Sequence, residues 1–113
     1  MDCLFCKIIN HEIPGDIVFE DDEVLAFNDI NPQAPTHILI VPKKHIATLN
    51  DIVEGDLPLV GCLQHTAARL AAELGFAEEG YRVVMNCNEA AGQTVYHIHM
   101  HLMGGRRFTW PAG

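Results

Sequence analysis

The sequence predicts an α+β fold: a mainly antiparallel sheet with one long helix and a short N-terminal helix. Three observations carry this. Short apolar runs bounded by turn residues fill the first third, a single amphipathic stripe occupies the middle, and two strand-like runs follow it. A length of 113 residues leaves room for one domain, spanning 1–113.

The elements follow in order. Residues 3–9, Cys-Leu-Phe-Cys-Lys-Ile-Ile, suit a short helix that stops before the turn signal Pro14-Gly15. Ile17 to Glu20 and Val24 to Asn28, separated by Asp21-Asp22, suit a β-hairpin. His37 to Val41 lies between Pro35 and Pro42 and is rich in branched apolar residues, which predicts a strand. Val60, Leu63, Ala67, Leu70 and Leu74 recur every three or four residues, the stripe of an amphipathic helix. Asp56 and Pro58 suit its first turn and Gly75 its stop. Tyr81 to Cys87 is then expected as a strand, Asn88 to Gln93 as a polar loop, and Val95 to Met103 as the last strand, ended by Gly104-Gly105.

Composition narrows the function. Apolar residues make up 49% and charged ones 19%, as in an ordinary globular protein. Fifteen acidic against seven basic residues leave a formal charge of −8. Such a surface opposes non-specific contact with nucleic acid or anionic membrane, so neither is expected as a partner. A small anion remains a fitting ligand where backbone amides and histidines supply its donors. Met1 to Asn10 lacks the form of a secretory signal, and no apolar run approaches the roughly 20 residues of a membrane helix. The four cysteines are then expected as thiols or metal ligands in the cytoplasm.

The most informative segment is His97-Ile98-His99-Met100-His101. On a strand, alternate side chains share a face, about 6.5–7 Å apart per step. Three imidazoles would then line one face while Ile98, Met100 and Leu102 enter the core. Such a face serves either as a metal site or for acid, base or nucleophilic work near neutral pH. Spacing alone does not choose between them. Gly92-Gln93-Thr94, just before, offers a flexible backbone, an amide and a hydroxyl suited to phosphate oxygens. Cys3-Leu4-Phe5-Cys6 is a C-x-x-C motif, open to reading as free thiols, a redox pair or half of a metal site. Cys62 and Cys87 read as small buried residues.

These residues resemble the histidine triad (HIT) superfamily. Its signature, His-φ-His-φ-His-φ-φ with φ apolar, stands here as His97-Ile98-His99-Met100-His101-Leu102-Met103. The likeness is closest to the Hint branch of purine nucleoside phosphoramidate hydrolases. It extends through Asp29 to His37, Pro42-Lys43-Lys44-His45, Gly92 to Tyr96 and Trp110-Pro111, so it covers nearly the whole chain.

The resemblance implies a HIT-like fold, a homodimer and a double displacement without a catalytic cofactor. His99 would attack the α-phosphorus, and water would hydrolyse the nucleotidyl-histidine. His101 would contact phosphate oxygens and assist proton transfer to the leaving amine, with His37 in a proton relay. Gln93 and Thr94 would hold the phosphate, and Asn86 would lie beside the phosphate and leaving group. Asp29 would accept the ribose hydroxyls, and Phe5, Ile8, Phe27, Ile30 and Leu39 would clamp the purine. The C-x-x-C departs from many Hint proteins and matches zinc-bearing relatives. By that likeness Cys3, Cys6, His45 and His97 would form a closed structural zinc site. A zinc-bound His97 could not also shuttle protons. The helix around Val60–Leu74 and the strand around Tyr81–Cys87 also look more apolar than a monomer of this size needs, which suits a two-fold dimer.

Overall fold

A computed structural model of the chain describes residues 3–113. Helix α1 (Leu4–Ile9) is followed by strands β1 (Ile17–Glu20), β2 (Val24–Asn28) and β3 (Thr36–Pro42), helix α2 (Leu57–Leu74), and strands β4 (Tyr81–Val84) and β5 (Met100–Gly104). The five strands form one antiparallel sheet in the order β1-β2-β3-β5-β4. The predicted fold class is the observed one.

Each helix takes one face of the sheet. Leu63, Ala67, Leu70 and Ala71 of α2 pack on Val24, Ala26, Ile38, Ile40, Met100 and Leu102. On the other face, Phe5 and Ile8 of α1 pack on Leu25, Phe27, Leu39 and Val41. Strands β2 and β3 are thus covered on both sides, which explains their unbroken apolar runs, Val24 to Phe27 and Ile38 to Val41. Helix α2 ends at Gly75, whose φ of 91° lies in the left-handed region that glycine enters at little cost. At Gly104 the reason for glycine is space. A Cβ there would collide with the ring of Phe76, which closes that end of the core.

Two boundaries differ from expectation. Regular β5 begins at Met100 instead of Val95, and β4 ends at Val84 instead of Cys87. The cause lies in β3. Ile40 pairs with Met100, so Pro42 stands where the next ladder step would need an N–H. The chain therefore leaves the ladder: Ile98 donates its N–H to the Ile46 carbonyl at 2.8 Å, outside β3. With no partner there, β4 ends as well. The alternation survives the loss of regular pairing, since Ile98, Met100 and Leu102 remain buried in the α2 side of the core.

Candidate active site

The three triad histidines do not share one open face, as spacing alone suggested. His97 is fully buried and belongs to a cluster with Cys3, Cys6 and His45. His99 and His101 belong to a second group with His37 and Asp29. The departure of the segment before Met100 from the β3 ladder separates the two. The histidine segment thus contributes to two adjoining groups of side chains.

In the second group hydrogen bonds fix the tautomers. His99 donates from Nδ1 to the His97 carbonyl at 2.8 Å, which leaves the lone pair on Nε2. The Gln33 backbone N–H donates to His37 Nδ1 at 3.0 Å, so His37 carries its proton on Nε2. That Nε2–H lies 2.9 Å from His101 Nδ1 and 3.5 Å from Asp29 Oδ2. His101 accepts at Nδ1 and so bears its proton on Nε2. Gln33, His37 and His101 form a one-way chain of donors ending at an N–H on His101.

Electrostatics keeps these rings neutral. Burial pushes the pKa of His99 and of His37 below the usual imidazole value. His101 is pushed down to about 4 by burial, reinforced by His99 and His37 beside it. A neutral His99 retains the lone pair that a nucleophile requires. The close approach of His37 to Asp29 is accordingly a polar contact more than an ion pair.

Beside His99 and His101 opens a cavity of about 470 Å³. Phe5, Ile8, Phe27 and Leu39 form its apolar wall, with Phe5 and Phe27 edge to face at 5.5 Å. The Phe5 ring also meets His99 edge-on, with centroids 4.9 Å apart. Asp29 stands at the mouth, its backbone held by the His37 carbonyl and its Oδ1 accepting from the Asn31 N–H. Thr94 is on the rim. Ile30 also lines the opening, yet its side chain is fully exposed, a poor position for a clamp in this state.

Two expected residues lie elsewhere. Gln93 is buried, and its amide is fully occupied: Oε1 accepts from the Asn88 N–H, while Nε2 donates to the Ala47 and Val95 carbonyls. Its geometry shapes the loop before the triad and offers nothing to a phosphate as it stands. Asn86 is half-buried just past β4 and does not line the cavity. Sequence reading missed Gln33, because a backbone N–H has no side-chain signature. It also missed Arg106, whose Nε donates to the Gln33 carbonyl at 2.9 Å.

The first group has the dimensions of a metal site. A tetrahedral zinc with bonds of ~2.05 Å to nitrogen and ~2.3 Å to sulfur has edges of about 3.3 Å N–N and about 3.6 Å N–S. Here His45 Nδ1 and His97 Nδ1 are 3.2 Å apart, and the Cys3–His97, Cys6–His45 and Cys6–His97 separations are 3.4, 3.5 and 3.6 Å. His97 donates from Nε2 to the Pro42 carbonyl at 2.7 Å, which directs the Nδ1 lone pair into the cluster. Without a cation, burial and the neighbouring Cys3 push the Cys6 thiol up to about 11. A reactive redox pair would need the opposite shift.

An antiparallel sheet with a neutral histidine beside an apolar cavity suits a histidine-based hydrolase, and known proteins share this architecture. The HIT domain model matches residues 10–108, and the chain belongs to that family. It is 55% identical to the purine nucleoside phosphoramidase of Escherichia coli K12, over 91% of this chain and 87% of the relative. A HIT family hydrolase from Legionella pneumophila Philadelphia 1 superposes with a TM-score of 0.98 at 57% identity, covering 99% of this chain and all of the other. A histidine triad protein from Clostridium difficile gives 0.93 at 49% identity, covering 96% of this chain and 95% of that one. The protein is a HIT-type hydrolase.

Proposed function

We propose that this single HIT domain, residues 1–113, hydrolyses the P–N bond of purine nucleoside 5′-phosphoramidates, releasing a nucleoside monophosphate and an amine. The observation that carries the reading is the free Nε2 of a neutral His99 at the inner end of an apolar cavity with a carboxylate at its mouth. The similarity to the phosphoramidase of Escherichia coli supports the same substrate class.

In the first step His99 Nε2 bonds to the α-phosphorus as the P–N bond to the amine breaks, and the amine departs with a proton. Water then displaces His99 from phosphorus, yielding the monophosphate and restoring the imidazole. His101, with its N–H turned away from His37, hydrogen-bonds the phosphate and passes protons to the leaving amine. His37 holds His101 in the required tautomer. Asp29 accepts the ribose hydroxyls, and Phe5, Ile8, Phe27 and Leu39 enclose the base; Ile30 joins them by folding inward over it. Thr94 supplies the phosphate contact, Gln93 sets the loop that presents it, and Asn86 stands on the leaving-group side.

We assign Cys3, Cys6, His45 and His97 a structural zinc, supported by the edge lengths above. It fixes the segment leading to His99 and takes no part in the chemistry. The four unbridged cysteines suit a reducing compartment, and we place the protein in the cytoplasm. No helix among the described residues is long and apolar enough to cross a membrane. The acidic surface argues against nucleic acid as a partner. Exposed Leu57 and Leu74 on α2, with β4 at the sheet edge, support a two-fold dimer through those elements.

The deciding assay measures turnover of adenosine 5′-phosphoramidate, with and without EDTA, by wild type and His99→Ala. Wild-type turnover that survives chelation and disappears in the variant is expected. Turnover lost with EDTA alone would make the histidines ligands of a catalytic metal.

A further inference from the structure

Resting on the reading above, we propose that Arg82, Arg106 and Arg107 form an anion-binding subsite that receives an acidic group carried by the leaving amine. They are three of the four arginines in a chain of net charge −8. Together with Phe108 they line a cavity of about 460 Å³ at the end of β4 and β5.

Among the described residues the three guanidinium groups have no counter-ion: none comes within 4 Å of a carboxylate, although Glu79 also lines the cavity. Their hydrogen bonds go to backbone carbonyls: Arg82 to Thr109, and Arg106 to Gln33 and Arg107. Arg82 and Arg106 each stack on Phe108, at 5.2 and 4.2 Å from its centroid, which holds the two cations near one another. Stacked guanidinium groups with unused donors are the usual partner of a carboxylate or phosphate.

Register places Arg82 on the leaving-group side, and the cavity continues from it around the end of the sheet past Tyr81 and Phe76. Met103 pairs with both His37 and Arg82, and His101 pairs with both Leu39 and Val84. Residues directly paired across strands share a face, so Arg82 lies on the face that carries His37 and His101. With strands about 4.8 Å apart and alternate residues about 6.8 Å apart, its Cα stands about 8 Å from that of His101. The nucleoside cavity is built from α1, β2 and β3 on one side of the histidines; β4 lies on the other. A group leaving phosphorus away from the nucleoside therefore passes over β4.

The test compares two adenosine 5′-phosphoramidates, one with aspartate as the amine and one with the uncharged aspartate diamide. A surface of net charge −8 would by itself disfavour the acidic substrate. The subsite predicts the reverse, kcat/KM higher for aspartate by about tenfold. That preference should fall to near unity in the double variant Arg82→Gln/Arg107→Gln. Equal kcat/KM in wild type, or a preference that survives in the variant, would overturn the proposal. No turnover of either compound, nor of the unsubstituted phosphoramidate, would instead overturn the underlying function. Calorimetric titration of inorganic phosphate into wild type saturated with AMP separates the sources of the anion. Phosphate binding without an acidic-substrate preference would mean a free-phosphate site, and the leaving-group assignment would fail.

Discussion

At the scale of single residues, chemistry is set by which nitrogen of each imidazole is committed elsewhere. His99 spends Nδ1 on a carbonyl and keeps Nε2; His97 does the converse and keeps Nδ1. We expect His99→Ala to lower kcat by at least about a thousandfold, because in the mechanism proposed above His99 forms the covalent intermediate. AMP affinity should change little, and calorimetry beside a steady-state assay separates the two. Gln93→Ala removes three loop hydrogen bonds and no phosphate contact. It should therefore reduce thermal stability as well as activity, and an unchanged Tm would place the amide on the substrate after all. The pattern His-x-His-x-His made these residues legible in the sequence, but not their division into two groups. That division depends on Pro42 ending the ladder and on a cysteine pair more than 90 positions away, neither visible in the spacing of the histidines.

At the scale of elements, sequence and structure agree where burial alone decides. The α2 stripe, its glycine stop and the β1–β2 hairpin were legible because each depends on a local period or turn. The limits of β4 and β5 were not, because they depend on which strand supplies the next N–H. Gly104 illustrates a further element-level constraint, a helix-side residue whose side chain has been replaced by the Phe76 ring. Gly104→Ala would drive a methyl group into that ring, an overpacking that costs about 1–3 kcal/mol. Chemical denaturation should show a lower midpoint at unchanged m-value. Wild-type stability in this variant would mean that Phe76 moves aside freely.

For the whole molecule, the depressed histidines link folding to pH. An unfolded histidine takes its proton near pH ~6.5, whereas folded His37, His99 and His101 resist it, His101 down to about 4. Between those limits the unfolded chain binds more protons, so stability is complete above pH ~6.5 and declines as pH falls toward ~4. The urea midpoint should be lower at pH 5 than at pH 7; an equal or higher value would show that these rings are not kept neutral by the fold. Chelating the zinc proposed above should likewise lower Tm while sparing turnover at moderate temperature. Metal analysis should find about one zinc per chain, abolished in Cys3→Ser/Cys6→Ser. Light scattering at micromolar concentration should report a dimer, and a 12.5 kDa species alone would exclude it.

The cluster of Cys3, Cys6, His45 and His97 also orders the protein in time. Cys3 and His97 lie 94 positions apart, yet their ligand atoms are 3.4 Å from each other. At a synthesis rate of roughly 5–20 residues per second, about 5–20 s separate the appearance of the cysteines from that of the histidine that completes their site. During that interval α1, only six residues long, cannot hold its own shape. Phe5 and Ile8 can already pack on Leu25, Phe27, Leu39 and Val41, but the tie between α1 and the triad segment through Cys3, Cys6 and His97 is still missing. A ribosome-bound fragment ending before His97 therefore lacks the last residue of the cluster together with His99 and His101, the imidazole side of the cavity.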